Sequence, residues 1–418
     1  MKKIVTLILI VLSLLQICPI CADEAVSVFL DNEQIQFDVE PIVVNDRTMV
    51  PMRAIFEKLG AEVTWDESTN TAIAYDYSKM YGVSITIGIP HMLDTFLTPI
   101  PLDVPAMLHN NRTLVPLRAI SEAFECRVEW DDATSTVNIY SKSFIDFSKE
   151  TEQTTVKVGT VDELLSNIGS NKHIILTSDY YNISDARKPD NPYIEKSEYS
   201  EGYVIKNVIN MTIEGKAEIA INDIYADVLS FENCGKITLD GLTVGHTEPN
   251  EEYLCDGCVT SFSNCKLINI VNCNLYGCGA IGVSAYNVDE LIIDHCDIYD
   301  CSYAGVLFQL SSNVKVSDTE FYDGIYFCGV CLISDSDVDF TNCIVRDNKL
   351  SENGRRQGLI VTSDSFFTKS KINWNNSKFI NNSFHEITND ETSKITFTDC
   401  IFQNNTGNLE HPSVIYSN

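Results

Sequence analysis

Basic residues are scarce in this 418-residue chain: 29 Lys and Arg stand against 59 Asp and Glu, a formal charge of −30. That balance disfavours nucleic acid and anionic membrane surfaces as partners. Long apolar runs are almost missing as well. The one such run, IVTLILIVLSLLQI, follows Lys2 and Lys3 and precedes CPICADE. It has the charged start, apolar centre and small-residue cut (after Ala22) of a secretory signal, and it is too short and too quickly followed by polar sequence for an anchor. Residues 1–22 are therefore expected to be removed, with no membrane insertion afterwards. Cysteines lack an even count: 13 remain after the signal, most of them on a repeat. His91 and His109 stand outside any metal-ligand spacing.

The repeat runs from Leu267 to Asn405 as INIVNCNLYGC, LIIDHCDIYDC, VKVSDTEFYDG, VDFTNCIVRDN, INWNNSKFINN and ITFTDCIFQNN. One column holds Cys273, Cys296, Thr319, Cys343, Ser377 and Cys400, with steps of 23, 23, 24, 34 and 23 residues. A second column holds Cys278, Cys301, Gly324, Asn348, Asn382 and Asn405. A fixed period with one long step marks a stacked solenoid carrying an insertion. Apolar residues alternate within each row, so the rows hold strands. Several short strands per turn predict a parallel β-helix. Strands about 4.8 Å apart stack like residues on one another. Small Cys, Thr and Ser suit an internal stack, and in-register neighbours do not offer disulfide geometry, so the column cysteines are read as packed thiols. The asparagines are placed at a turn, bonding from rung to rung.

The segments 44–75 and 109–140 match without a gap at an offset of 65, with 15 of 32 positions identical. Pro51 and Pro116 suit a first helical turn, Gly60 suits a helix stop that Glu125 replaces in the second copy, and strands follow. Each copy is expected to be a small α+β unit, with Arg53/Asp66 and Arg118/Asp131 as ion pairs. The pattern N-x-R-T-[ML]-V-P-[ML]-R-A-I, then V-x-W-D and T-x-T, resembles the copper amine oxidase N-terminal (stalk) domain family over residues 27–142. The resemblance implies a non-catalytic module of attachment or spacing on exported bacterial proteins, and no copper.

Residues 143–156 read as a polar linker. Thr160 then caps a short amphipathic helix at about 160–168, which would close the solenoid's open end. Helix, then I-I-L-T, then rungs is similar to right-handed parallel β-helix proteins of the pectin-lyase-like superfamily, over residues 157–418. The fold expected is mainly β: a right-handed parallel β-helix behind tandem small α+β stalk modules. The superfamily includes lyases, hydrolases, epimerases and glycan-binding surface proteins. Its polygalacturonase set of clustered aspartates, G-H-G and R-I-K is missing here, where only VGHT at His246 remains. If Val283, Val306, Val330 and Leu359 point inward, then Ser284, Tyr286, Leu307, Gln309, Cys331, Ile333, Ile360 and Thr362 point outward, and none is a carboxylate or base.

Loops are what remain. The segment 245–258 gathers His246, Asp256 and Cys255-x-x-Cys258; a second cysteine pair at zinc spacing is missing, and no metal site is expected. The loop 349–358 carries Glu352, Arg355 and Arg356, which could grip a sugar carboxylate bidentately. The loop 186–201 carries Tyr193 and Tyr199, which could stack on sugar rings. The partner expected is a polysaccharide or cell-envelope glycan, outside the cell or on its wall, with no cofactor and calcium the one cation left open. Two classes stay open: a glycan-binding module, or a polysaccharide lyase, hydrolase or epimerase whose catalytic residues are unknown.

Overall fold

The computed structural model describes residues 26–77, 80–142, 144–187, 189–197, 200–247, 257–277, 280–351, 358–363, 369–388 and 393–417. The expected signal segment lies outside them. Among the described residues no helix is long and apolar enough to cross a membrane. The chain divides into two compact units, Met1–Phe144 and Ile145–Asn418.

In the first unit each copy does contain a helix, Met52–Lys58 or Leu117–Ala123, with Pro51 or Pro116 at its N-cap and a two-stranded hairpin behind it. Gly60 ends the first helix with φ +88°, and Glu125 takes the same left-handed role in the second at φ +60°. The copies are interlocked rather than separate. Strands Arg47–Pro51 and Arg112–Pro116 pair antiparallel, with Val50 opposite its own counterpart Val115. A pseudo-two-fold axis therefore passes between them. The expected Arg–Asp pairs are replaced by an exchange across that axis. Arg47 Nε donates to Asp103 at 2.6 Å, and Arg112 Nε donates to Asp38 at 2.6 Å. Arg53 and Arg118 instead face Glu57 and Glu122 one helical turn on. Asp66 and Asp131 accept from the hydroxyls and amides of their own turns, which hold both carboxyls below the usual range. One buried core, including Phe56, Ile85, Ile120 and Ile139, serves both copies.

The second unit is three sheets of 11, 9 and 12 strands among the described residues, stacked rung on rung and parallel except where Ile194–Lys196 runs antiparallel to Tyr203–Lys206. From Ile145 on, the linker expected at 143–156 is part of it. Ile145 is buried, and Thr154–Val158 pairs with Lys172–Leu176 as the first strand. The run T-T-V-K-V is a β-branched strand whose polar neighbours disguised it. The helix Val161–Asn167 follows: the Thr160 hydroxyl accepts from the Glu163 amide at 3.2 Å, and Glu163 accepts from the Gly159 amide at 2.7 Å.

The rung corners explain the columns. Asn272, His295, Asp318, Asn342, Asn376 and Asp399 each adopt φ between 46° and 57° just before the first column. Short polar side chains tolerate this left-handed bend best. The bend turns the next residue inward, so Cys273, Cys296, Thr319, Cys343 and Ser377 are buried. In the second column Asn382 Oδ1 accepts from the Asn348 amide side chain at 3.0 Å. Asn382 Nδ2 donates to Asn405 Oδ1 at 3.0 Å and to Val345 O at 2.8 Å. Cys278 lies outside the described residues.

Eleven cysteines lie among the described residues, and all but Cys400 are buried. Burial pushes the Cys265, Cys331 and Cys343 thiols up, the last to about 12. A thiol-specific chromophore should therefore label few of them in the native chain, and all of them in denaturant without reductant. A shortfall in the denatured sample would mean disulfides.

One register differs from expectation. Ala304 pairs with Gly329 and Val306 with Cys331, so Val330 does not follow Val306. Cys331, Ile333, Ile360 and Thr362 face inward, while Leu332 and Val361 face outward beside Leu307. The extra residues sit at Gly324–Cys328, where Tyr326 turns into the core. That outer face carries Ser284, Leu307, Leu332 and Val361, still without carboxylate or base.

Candidate functional site

Of the residues singled out in sequence, Glu352, Arg355, Arg356, Asp256 and Tyr199 lie outside the described residues. His246 is fully buried, with its Nε2 2.9 Å from Ala226 O, and burial lowers its pKa. Its imidazole is thus held inside the fold. Tyr193 is half-buried, its ring against Gly169 at the end of the capping helix. The neighbouring Asn191 donates to Leu165 O and Ile168 O, so this stretch of the loop fastens the helix.

The richest chemistry lies on the outer face of the nine-stranded sheet. Strands Asn274–Tyr276, Asp297–Tyr299, Glu320–Tyr322 and Ile344–Arg346 pair in strict register. Parallel pairing stacks like positions, so Tyr276, Tyr299, Tyr322 and Arg346 form one outward column. Asn274, Asp297 and Glu320 form a second beside it. Tyr276 and Tyr299 have ring centroids 5.8 Å apart, and Tyr299 and Tyr322 are 4.9 Å apart and nearly parallel. The Arg346 guanidinium closes the ladder 4.0 Å from the Tyr322 ring. Arg346 Nε donates to Glu320 at 3.0 Å and its Nη1 to Asp347 at 3.2 Å. At the other end the Tyr276 hydroxyl donates to Glu218 Oε1 at 2.5 Å. A side chain at Gly245 would strike Tyr276, so glycine leaves room for the ring.

The electrostatics follow from this crowding. Burial pushes the Tyr322 hydroxyl up to about 12, and burial also raises Tyr276 and Tyr299. Burial and the charge of Glu320 raise Asp297 above the ordinary carboxylate range, against the pull of Arg346. All the phenols therefore stay protonated at neutral pH and can donate. Because the ring faces cover one another, the ladder offers its edges and hydroxyls. It is a row of hydrogen-bonding groups one rung apart, flanked by carboxylates.

Two other places hold polar clusters. An open groove of about 850 Å³ on the 11-stranded sheet has His173 paired with Glu214, and Gln153 with Asn210 and Thr212, leaving those groups committed to each other. Asp294, His295 and Asp318 converge within 4.8 Å on an exposed corner, a nitrogen-plus-carboxylate set that suits a transition metal better than calcium. The tyrosine column was legible in sequence. Its members stand three residues after the first column in four of the six rows, as LYG, IYD, FYD and VRD.

Residues 29–139 match the family described as Copper amine oxidase N-terminal domain, and residues 206–406 match the Right handed beta helix region. The first unit thus resembles the copper amine oxidase N-terminal domain, and the second is a right-handed β-helix. No curated protein sequence matches the chain. Among solved structures, PfbA, a surface adhesin of Streptococcus pneumoniae, is 13% identical with a TM-score of 0.32, covering 72% of this chain and 89% of its own. The pectate lyase Pel9A is 9% identical with a TM-score of 0.38, covering 64% and 82%. The A-module of the Azotobacter vinelandii mannuronan C-5 epimerase AlgE6 is 10% identical with a TM-score of 0.27, covering 71% and 98%.

Proposed function

We propose that this is an exported glycan-binding protein whose β-helix holds an extended polysaccharide along the Tyr276–Arg346 column. The observation that carries the reading is the column itself. Protonated phenols repeat once per rung, beside carboxylates and one guanidinium that accept from and donate to sugar hydroxyls. The acidic surroundings favour a neutral or amino-sugar polymer; an acidic one would need a bridging cation or the arginines at 355 and 356.

A second reading has one observation behind it. Asp297 and Glu320 sit on adjacent strands, the first raised in pKa and the second held by Arg346. Two carboxylates on neighbouring strands, one with its pKa raised by burial, are the residue types used in glycoside hydrolysis.

One glycan panel tests both readings when scored for retention and for release of reducing or unsaturated ends. Tyr299→Ala combined with Tyr322→Ala is expected to weaken retention at least about tenfold, as the loss of two hydrogen bonds implies. Undiminished retention would remove the column from the binding site. Release abolished by Asp297→Asn would favour the enzyme.

A further inference from the structure

The N-terminal unit carries two clefts, of about 730 and 650 Å³, that are copies of one another at the offset of 65. In the first, Trp65 on the hairpin faces Arg53 and Glu57 on the helix; in the second, Trp130 faces Arg118 and Glu122. The far wall of each cleft comes from the other copy: Leu108 and Arg112 in the first, Val43 and Arg47 in the second. Asp38 and Asp103 fix those two arginines through the exchanged ion pairs.

From this geometry we infer that each cleft is a binding site for an uncharged oligosaccharide, a site independent of the β-helix column. The indoles are the first reason. Trp65 is 39% exposed and Trp130 43%, although burying an indole is strongly favourable and the neighbouring core is apolar. Each presents a flat apolar surface inside a concavity, which suits the C–H face of a sugar ring. Trp130 is held in place by its Nε1 donating to Asp132 at 2.5 Å.

Planar polar groups are the second reason. The guanidinium of Arg53 or Arg118 and the carboxylate of Glu57 or Glu122 lie one helical turn apart. They form a donor fork next to an acceptor fork, the pairing that reads vicinal hydroxyls. The third is charge. Two arginines face three carboxylates in the first cleft (Asp38, Glu57, Glu67) and four in the second (Asp46, Asp103, Glu122, Asp132). A uronic acid would meet net repulsion, and a neutral sugar would not. Both volumes fall within the range of roughly 300–1,000 Å³ usual for ligand pockets. Two like sites on one shared core also favour a repeating polymer, which can engage both.

The test uses the full chain. It contains three tryptophans, and Trp374 is buried in the β-helix. A Trp374→Phe background therefore leaves only the cleft indoles to report. This protein is titrated with cello-, manno- and chito-oligosaccharides, with oligogalacturonate as the acidic comparator, while indole emission is followed. One neutral series should saturate at two equivalents per chain, and oligogalacturonate should have no effect. Trp65→Ala or Trp130→Ala should each remove one equivalent. Arg53→Ala and Arg118→Ala, whose side chains are exposed, should weaken binding at least tenfold with an unchanged melting temperature, so the result does not hang on the tryptophan variants folding. An emission indifferent to all three neutral series would overturn the proposal. So would a preference for oligogalacturonate, affinity unchanged in the arginine double variant, or a response to apolar peptides alone. Losing retention through Tyr299 and Tyr322 would leave this titration untouched, so the two sites fail separately.

Discussion

Asn382→Ala is expected to lower β-helix stability by roughly 3–5 kcal/mol, since each buried partner left unpaired costs about 1–3 kcal/mol. Asn382 is 1% exposed and sits in the middle of the asparagine ladder. Its Oδ1 accepts from Asn348 N at 3.2 Å and Nδ2 at 3.0 Å, and its Nδ2 donates to Val345 O and Asn405 Oδ1. Alanine removes the partner of both Asn348 donors and of the Val345 carbonyl in a buried place. The urea midpoint of the β-helix transition measures this, together with hydrogen exchange at the Asn348 amide. Asn382→Cys, which restores the residue type of Cys301 in the same column, should recover part of the loss. A midpoint that barely moves for alanine would show that the ladder contributes registry without stability.

Trp374→Ala should cost a similar amount, about 3–5 kcal/mol for deleting a large buried aromatic. Trp374 stacks on Phe340 with centroids 3.8 Å apart and meets Phe379 edge-on at 5.0 Å. Trp374→Phe should cost far less. It keeps the stack on Phe340 and removes a buried indole N–H that finds no acceptor among the described residues. Thermal melts of the two variants side by side decide the matter; equal losses would mean that volume alone, and not stacking, sets the stability of this rung.

Much of the fold was legible because solenoid rungs repeat their chemistry as well as their spacing. Cys273, Cys296 and Cys343 could be aligned by eye, and burial puts them in one column. The misreading at Val330 has a specific cause. Gly305-Val306 and Gly329-Val330 look alike, but the turn at Gly324–Cys328 lengthens the step, and Tyr326 fills the core there. A dipeptide match cannot see an insertion that hides inside a turn. The candidate site was less legible for another reason. Tyr276, Tyr299 and Tyr322 stand in the rows, but a single row does not show that their rings stack on one outward face. His246 misled in the opposite way, since a histidine in a glycine-rich turn reads as exposed chemistry until the fold buries it. The exchanged pairs Arg47–Asp103 and Arg112–Asp38 needed the two-fold axis, which no offset in sequence reveals.

That axis has a consequence for how the N-terminal unit could be taken apart. A chain holding one copy would present Arg47–Pro51 as a bare strand edge, with Val50 unpaired and Arg47 lacking its carboxylate. Two such chains would find in each other the same edge that the second copy supplies here. Separate copies would be expected to dimerise, with a melting temperature that rises with protein concentration. Joined in one chain, the halves hold each other at a fixed effective concentration, and the unit stays whole however dilute the protein becomes.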